Sequence, residues 1–102
     1  MSGLPSQTIL AIQEVFASYP DVEKAILYGS RAIGNYRPGS DIDLTLTGDK
    51  LDLTKLQRIE NDLDELLLPY KIDLSLYRQI THSELLDHIL RVGKIIYEKG
   101  SP

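Results

Sequence analysis

Residues 27–46 read LYGSRAIGNYRPGSDIDLTL. Two apolar, strand-like ends enclose a loop that carries Gly29, Gly34 and Gly39, Ser30 and Ser40, and Arg31 and Arg37. The second end alternates from Asp41 to Thr47. Ile42, Leu44 and Leu46 share one face of that strand, and Asp41, Asp43, Thr45 and Thr47 share the other, because successive strand side chains point to opposite sides. Two carboxylates on one strand face repel each other unless something positive lies between them. A solvated outer strand face is the plain alternative.

A later stretch weighs against that alternative. Lys71 to Tyr77, KIDLSLY, repeats the alternation, with Ile72, Leu74 and Leu76 on one face and Asp73 and Ser75 on the other. If the two strands are neighbours, Asp41, Asp43 and Asp73 converge. Hard divalent cations such as Mg2+ take oxygen ligands and need only a few carboxylates, with water and substrate phosphate completing the octahedron. Two such ions about 3.5–4 Å apart clamp the attacking and leaving oxygens of an in-line displacement.

The loop between the strands suits phosphate. Gly29-Ser30 follows a strand and precedes a stretch, Arg31 to Asn35, that reads as one helical turn. Glycine permits close backbone approach, helix-start amides bind phosphate oxygens, Ser30 adds a hydroxyl, and Arg31 and Arg37 bring positive charge. A Gly-Ser after a strand is by itself most often an ordinary turn. Two nucleotide loops are excluded. Gly29 and Gly34 have the G-x-x-x-x-G spacing, but Asn35-Tyr36 follow where a P-loop needs Lys and Ser or Thr, and no G-x-G-x-x-G occurs.

Around this centre the chain alternates helix and strand. Ile9, Ile12, Val15, Phe16 and Tyr19 recur at helical spacing after Pro5-Ser6, and Pro20-Asp21 ends that helix. Lys24 to Tyr28 reads as a buried strand. Leu53 to Leu68 is helical, with Leu53, Leu56, Ile59 or Glu60, Leu63 and Leu67 on one stripe, until Pro69 stops it. Thr81-His82-Ser83-Glu84 matches a capping box, and Leu85, Leu86, Ile89 and Leu90 form the apolar side of a last helix ending at Gly93. KIIYEKG, residues 94–100, is a short strand or a docked tail. The expectation is an α/β (α+β) two-layer fold, a small mixed sheet of three or more strands with helices packed on one face.

Size and charge narrow the function. The 102 residues make one domain, 1–102, and 42% hydrophobic residues exclude a disordered chain. A chain this short has little room for a catalytic core and a separate acceptor-holding domain. Absent cysteine excludes disulfide scaffolds and thiolate zinc sites and is compatible with a cytoplasmic home. No apolar run approaches the roughly 20 residues of a membrane span, and MSGLPSQTIL lacks the basic segment and apolar core of a secretory leader. A net charge of −4 with 11 scattered basic residues argues against nucleic acid as a direct substrate.

A strand ending in Gly-Ser, an Arg- and Gly-containing loop, a strand with Asp-x-Asp and a later strand with one Asp together resemble the nucleotidyltransferase superfamily of the DNA polymerase beta type. The stretch GSRAIGNYRPGSDIDL is similar to its smallest members, the minimal nucleotidyltransferases (MNT). The resemblance implies that Gly29 and Ser30 hold the triphosphate of ATP, that Arg31 contacts phosphate, and that Asp41, Asp43 and Asp73 bind two Mg2+ ions. It further implies that Asp73 helps deprotonate an acceptor hydroxyl, which attacks the α-phosphorus as pyrophosphate leaves. Larger relatives carry a helical domain that holds the acceptor. The minimal ones are often encoded beside an all-helical HEPN protein, and similar pairs act as antitoxin and toxin, the transferase attaching AMP to the HEPN ribonuclease. A HEPN-type partner is therefore implied. A small-molecule acceptor such as an antibiotic, a binding-only antitoxin and self-association stay open.

The other polar residues read as structural. His82 and His88, six apart, lack the i, i+4 spacing of paired zinc ligands and read as surface or capping histidines. Tyr28 reads as core or pocket wall, Tyr36 as an exposed loop residue that could stack on a base, and NDLDELL as a solvated helix face.

Overall fold

In the computed structural model, which describes residues 3–100, the chain forms four helices and one mixed sheet. The ends of the expected 1–102 domain, residues 1–2 and 101–102, lie outside the described residues. Helix α1 spans Ser6–Ala17, strand β1 Lys24–Tyr28, the short helix α2 Ser30–Ile33 and strand β2 Ile42–Thr47. Helix α3 spans Leu53–Asp64, strand β3 Ile72–Leu76, helix α4 Ser83–Val92 and strand β4 Lys94–Glu98. The residues 94–100 that the sequence left between strand and tail thus supply a fourth strand.

The strand order is β3-β2-β1-β4. β1 and β2 are antiparallel, whereas β2 and β3 run parallel. A parallel pair needs a crossover, and α3 supplies it between those two strands. The hydrophobic pattern sets the register. Ala25 pairs with Leu46 and Leu27 with Leu44, while Leu44 faces Leu74 and Leu46 faces Leu76. A slip of one residue would turn all of these to the other side of the sheet.

That apolar face carries the core. Ile42, Leu44 and Leu46 are 0–1% exposed. They pack in one cluster with Ile12 and Phe16 of α1 and Leu56, Ile59 and Leu63 of α3. Each such side chain contributes roughly 1.5–3 kcal/mol by leaving water. Tyr19 donates its hydroxyl to Asp62, joining the end of α1 to α3. α4 lies on the other side of the sheet: Gly93 at its end abuts the Ile26 side chain, and Tyr28 meets His88 edge to face. Residues Ile26 and Tyr28 point away from Ala25 and Leu27 by strand alternation. The long helices α1 and α3 therefore line one face, and α4 lies against the opposite one.

Several boundaries differ from the expectation. β2 begins at Ile42, and Asp41 sits exposed just before it. α3 stops at Asp64 rather than Leu68, because the chain turns there and Leu67 takes a left-handed φ of 53°. Leu67 is consequently 88% exposed, and Leu53 at the first turn is 63% exposed, so neither belongs to the buried stripe. The cap of α4 is His82, not Thr81: His82 Nδ1 accepts the Leu85 amide at 3.2 Å. Leu90, expected on the apolar side of α4, is 76% exposed.

Candidate active site

The polar face of the sheet ends in carboxylates. Parallel pairing sets Asp43 of β2 opposite Asp73 of β3, and antiparallel pairing sets Asp43 opposite Tyr28. Asp41 lies just ahead on the same side. Asp43 is half-buried, and Asp41 and Asp73 are exposed. Burial pushes the Asp43 carboxyl above its ordinary range, and the charges of Asp73 and then Asp41 push it further. Burial likewise raises the Tyr28 phenol, and Asp43 and Asp73 add to that. The two I-D-L strands are thus neighbours, with Asp43 opposite Asp73 and Asp41 near enough to act on the Asp43 carboxyl. The ion pairs of the described residues lie elsewhere, at Lys24–Glu98, Lys55–Asp21 and Arg91–Asp87.

Gly29 forms the floor of this corner. Its φ is 76°, a conformation that side chains disfavour, and a Cβ there would collide with Asp43 Oδ2. Glycine is thus required twice over, by backbone conformation and by the carboxylate above it. Ser30 follows as the first residue of α2. The Ala32 and Ile33 amides both bond the Gly29 carbonyl, at 3.1 and 3.2 Å, which closes the first turn of α2.

Arg31 departs from its expected role. It is 1% exposed, with the guanidinium 5.1 Å from the Tyr36 ring centroid and 4.9 Å from that of Tyr70. Nε donates to the Ser40 carbonyl at 3.1 Å, and a terminal nitrogen reaches Pro38 O at 3.4 Å. A guanidinium buried between two rings and committed to loop carbonyls braces residues 36–40 and is not presented to a phosphate. The reason is local: the loop turns back over α2, and its carbonyls need a donor once they leave water. Tyr36, 37% exposed, is the outer ring of that brace.

His88 is the residue that sequence reading missed. Its Nε2 accepts the Gly29 amide at 3.0 Å, a contact spanning 59 residues of chain. No spacing rule could have paired them, because the contact depends on α4 docking against the polar face. The one available signal was His88 lying one residue before Ile89, which is 4% exposed. His82, by contrast, takes one of the roles expected of the two histidines and caps α4.

The donor set suits Mg2+. Asp41, Asp43 and Asp73 offer hard oxygens, and a cation there would offset the burial and the neighbouring charges that oppose ionisation of Asp43. Among the described residues no group of three or more His, Cys, Asp or Glu side chains forms a ready-made cage. Mg2+ does not require one, since it is held through one or two carboxylates together with substrate phosphate and water.

Residues 11–101 match the family model for polymerase beta nucleotidyltransferases. No curated protein matches the chain. Among solved structures, it is similar to a chain of a toxin–antitoxin crystal structure with AMP-PNP, at 21% identity and a TM-score of 0.70, covering 95% of this chain and 76% of the other. A Shewanella oneidensis complex of a tri-AMPylated HEPN toxin with an MNT antitoxin matches at 19% identity and TM-score 0.68, covering 97% and 74%. A putative nucleotidyltransferase from Sulfolobus solfataricus matches at 16% identity and TM-score 0.52, covering 95% and 92%. At these identities the structural likeness speaks for the fold.

Proposed function

The chain belongs to the polymerase beta nucleotidyltransferase family, and on that footing we propose that it moves AMP from ATP onto a hydroxyl of a HEPN-type partner protein, as an antitoxin. One observation carries the reading: Asp43 and Asp73 sit opposite each other on parallel strands, with Asp41 beside them and the Gly29 backbone directly beneath. The similar Shewanella complex, whose HEPN toxin is AMPylated, supports a protein acceptor. Among the described residues no helix is long and apolar enough to cross a membrane.

Each residue has a part. Asp41, Asp43 and Asp73 would hold two Mg2+ ions, which supply neutralisation of the triphosphate charge and of the charge that builds on the attacking and leaving oxygens. Gly29 lets the triphosphate approach the backbone, and Ser30 offers its hydroxyl and amide. Arg31 keeps the loop in shape beside the phosphate through its bonds to the Ser40 and Pro38 carbonyls. Asp73, exposed at the edge strand, accepts the proton of the acceptor hydroxyl. That oxygen bonds the α-phosphorus, the bond to the β-phosphate oxygen breaks, and pyrophosphate leaves. Positioning and charge neutralisation do most of the work in such a transfer.

The test is incubation with Mg2+, ATP labelled on its α-phosphate and the HEPN-type partner. Label should appear on the partner. The Asp41→Asn/Asp43→Asn double variant should lose on the order of 100-fold or more in rate with the fold retained by circular dichroism. Full neutralisation of the partner by the double variant would instead favour a binding-only antitoxin, and label on a small molecule alone would favour that acceptor.

A further inference from the structure

We propose that His88 is a positioning residue of this site: its Nε2 holds the Gly29 peptide at the height that leaves room for the Asp43 carboxylate. The inference rests on the transfer reading for its consequence in catalysis, and on geometry alone for the contact.

The Gly29 peptide is gripped from two sides. Its carbonyl takes the amides of Ala32 and Ile33 from α2, and its own N–H goes to His88 Nε2 at 3.0 Å. A donor is matched by an acceptor there, so the Nε2 lone pair faces Gly29 and the ring proton sits on Nδ1. The ring is held by its surroundings. It stands edge-on to Tyr28, at 6.2 Å between centroids and 80° between planes, and the neighbouring Ile89 is buried. At the end of the same helix, Gly93 packs on Ile26. α4 therefore docks on β1 at two points, and His88 is the one that reaches the site.

The lever is short. A Cβ at Gly29 would collide with Asp43 Oδ2, so the glycine backbone and the carboxylate are already in contact range. A rotation of the Gly29 peptide moves the surface on which that carboxylate rests. Asp43 has no lysine or arginine ion pair among the described residues to hold it otherwise. His88 acts at one remove, through Gly29, in the way that hydrogen-bond partners behind a ligand fix its orientation. His82 shows the contrast on the same helix: it bonds an amide three residues along its own chain and reaches nothing else in the site.

Three variants separate the hydrogen bond from mere packing. In His88→Gln, Oε1 reaches as far as Nε2 and accepts. In His88→Asn, the acceptor reaches only as far as Nδ1. His88→Leu keeps bulk against Tyr28 with no acceptor. Hydrogen exchange of the Gly29 amide, followed by NMR on the chain alone, should stay slow in the wild type and His88→Gln and quicken about tenfold or more in the other two. With Mg2+, labelled ATP and partner, His88→Gln should keep kcat within about threefold. His88→Asn and His88→Leu should lose roughly 10- to 100-fold in kcat, the usual scale for such supporting partners, with little change in KM for the partner. Equal Gly29 exchange in all four proteins would overturn the proposal, and so would equal kcat in all four. A wild type that transfers no label, with the exchange pattern as stated, would sink the transfer reading and leave the His88–Gly29 contact standing.

Discussion

Asp21 and Asp43 lie beyond opposite ends of β1, and their surroundings push them in opposite directions. Asp21 precedes the Lys24 end and receives a hydrogen bond from Lys55 Nζ at 2.5 Å, which holds its carboxyl below the ordinary range. Asp43 faces Tyr28 at the other end, where burial and then the charges of Asp73 and Asp41 hold its carboxyl above that range. The same side-chain chemistry thus appears once with a lysine bonded to it and once with no lysine or arginine ion pair among the described residues, where the small opposing effect of His88 does not outweigh burial and the neighbouring carboxylates. At the Asp21 corner the fold supplies its own lysine. At the Asp43 corner it concentrates negative charge over a glycine floor, an arrangement that, on the proposed function, a cation and a phosphate chain from outside would complete.

The largest effect should come from supplying that cation. Mg2+ with a non-hydrolysable ATP analogue should raise the thermal midpoint of the wild type, because a ligand that binds only the folded chain stabilises it by about 2.7 kcal/mol at a hundred times its dissociation constant. The Asp43→Asn variant should show little of that shift under the same conditions. Differential scanning fluorimetry reads both. An equal shift in the two proteins would place the nucleotide away from Asp43 and break the contrast between the corners.

A smaller effect of opposite sign should appear without any ligand. Asp43→Asn removes a charge that burial, and then the charges of Asp73 and Asp41, oppose, so the variant should be more stable than the wild type at neutral pH. The size is about 0.5 kcal/mol, the scale of interactions between largely exposed charges. Chemical denaturation at pH 7 without divalent ions measures it. A less stable variant would mean that the Asp43 carboxylate is held by favourable contacts, and the site would then be a structural corner.

The two sides of β2 also differ in how far they could be read. The apolar side was legible in the sequence, because alternation over Asp41 to Thr47 and Lys71 to Tyr77 fixes which residues share a face, while the parallel pairing and its register came only with the structure. The same alternation put Asp43 and Asp73 on one face, and the strands bring those two opposite each other. What stayed hidden depended on contacts distant in sequence. His88 entered the site only because α4 crosses the polar face. Arg31 had the right charge in the right loop, but the Tyr36 and Tyr70 rings and the Ser40 carbonyl claim its guanidinium. The leucine stripe of α3 overran its helix because periodicity continues through Leu67, while the backbone turns after Asp64. Pattern reports which face a residue occupies when an element persists, and it is silent on where the element stops and on what docks across it.

The smallest effect sharpens the comparison through pH. The ordinary value for an aspartate is 3.8, and Asp21 in the folded chain lies below it because of the Lys55 hydrogen bond. A depressed carboxylate contributes stability that is present above the unfolded value and is lost as pH falls through the folded one. Lys55→Gln removes the partner, so it should be slightly less stable than the wild type at neutral pH, with the gap closing on acidification below about pH 3.8. Asp43 is raised instead, so its ionisation costs stability as pH climbs through the range above 3.8. Asp43→Asn should therefore match the wild type in acid and exceed it at neutral pH. Denaturation midpoints from about pH 3 to pH 7 should show two gaps of opposite sign, both narrowing toward the acid end. Gaps of the same sign would mean that Asp43, like Asp21, has a cation of its own within the chain, and that the carboxylate corner does not depend on one from outside.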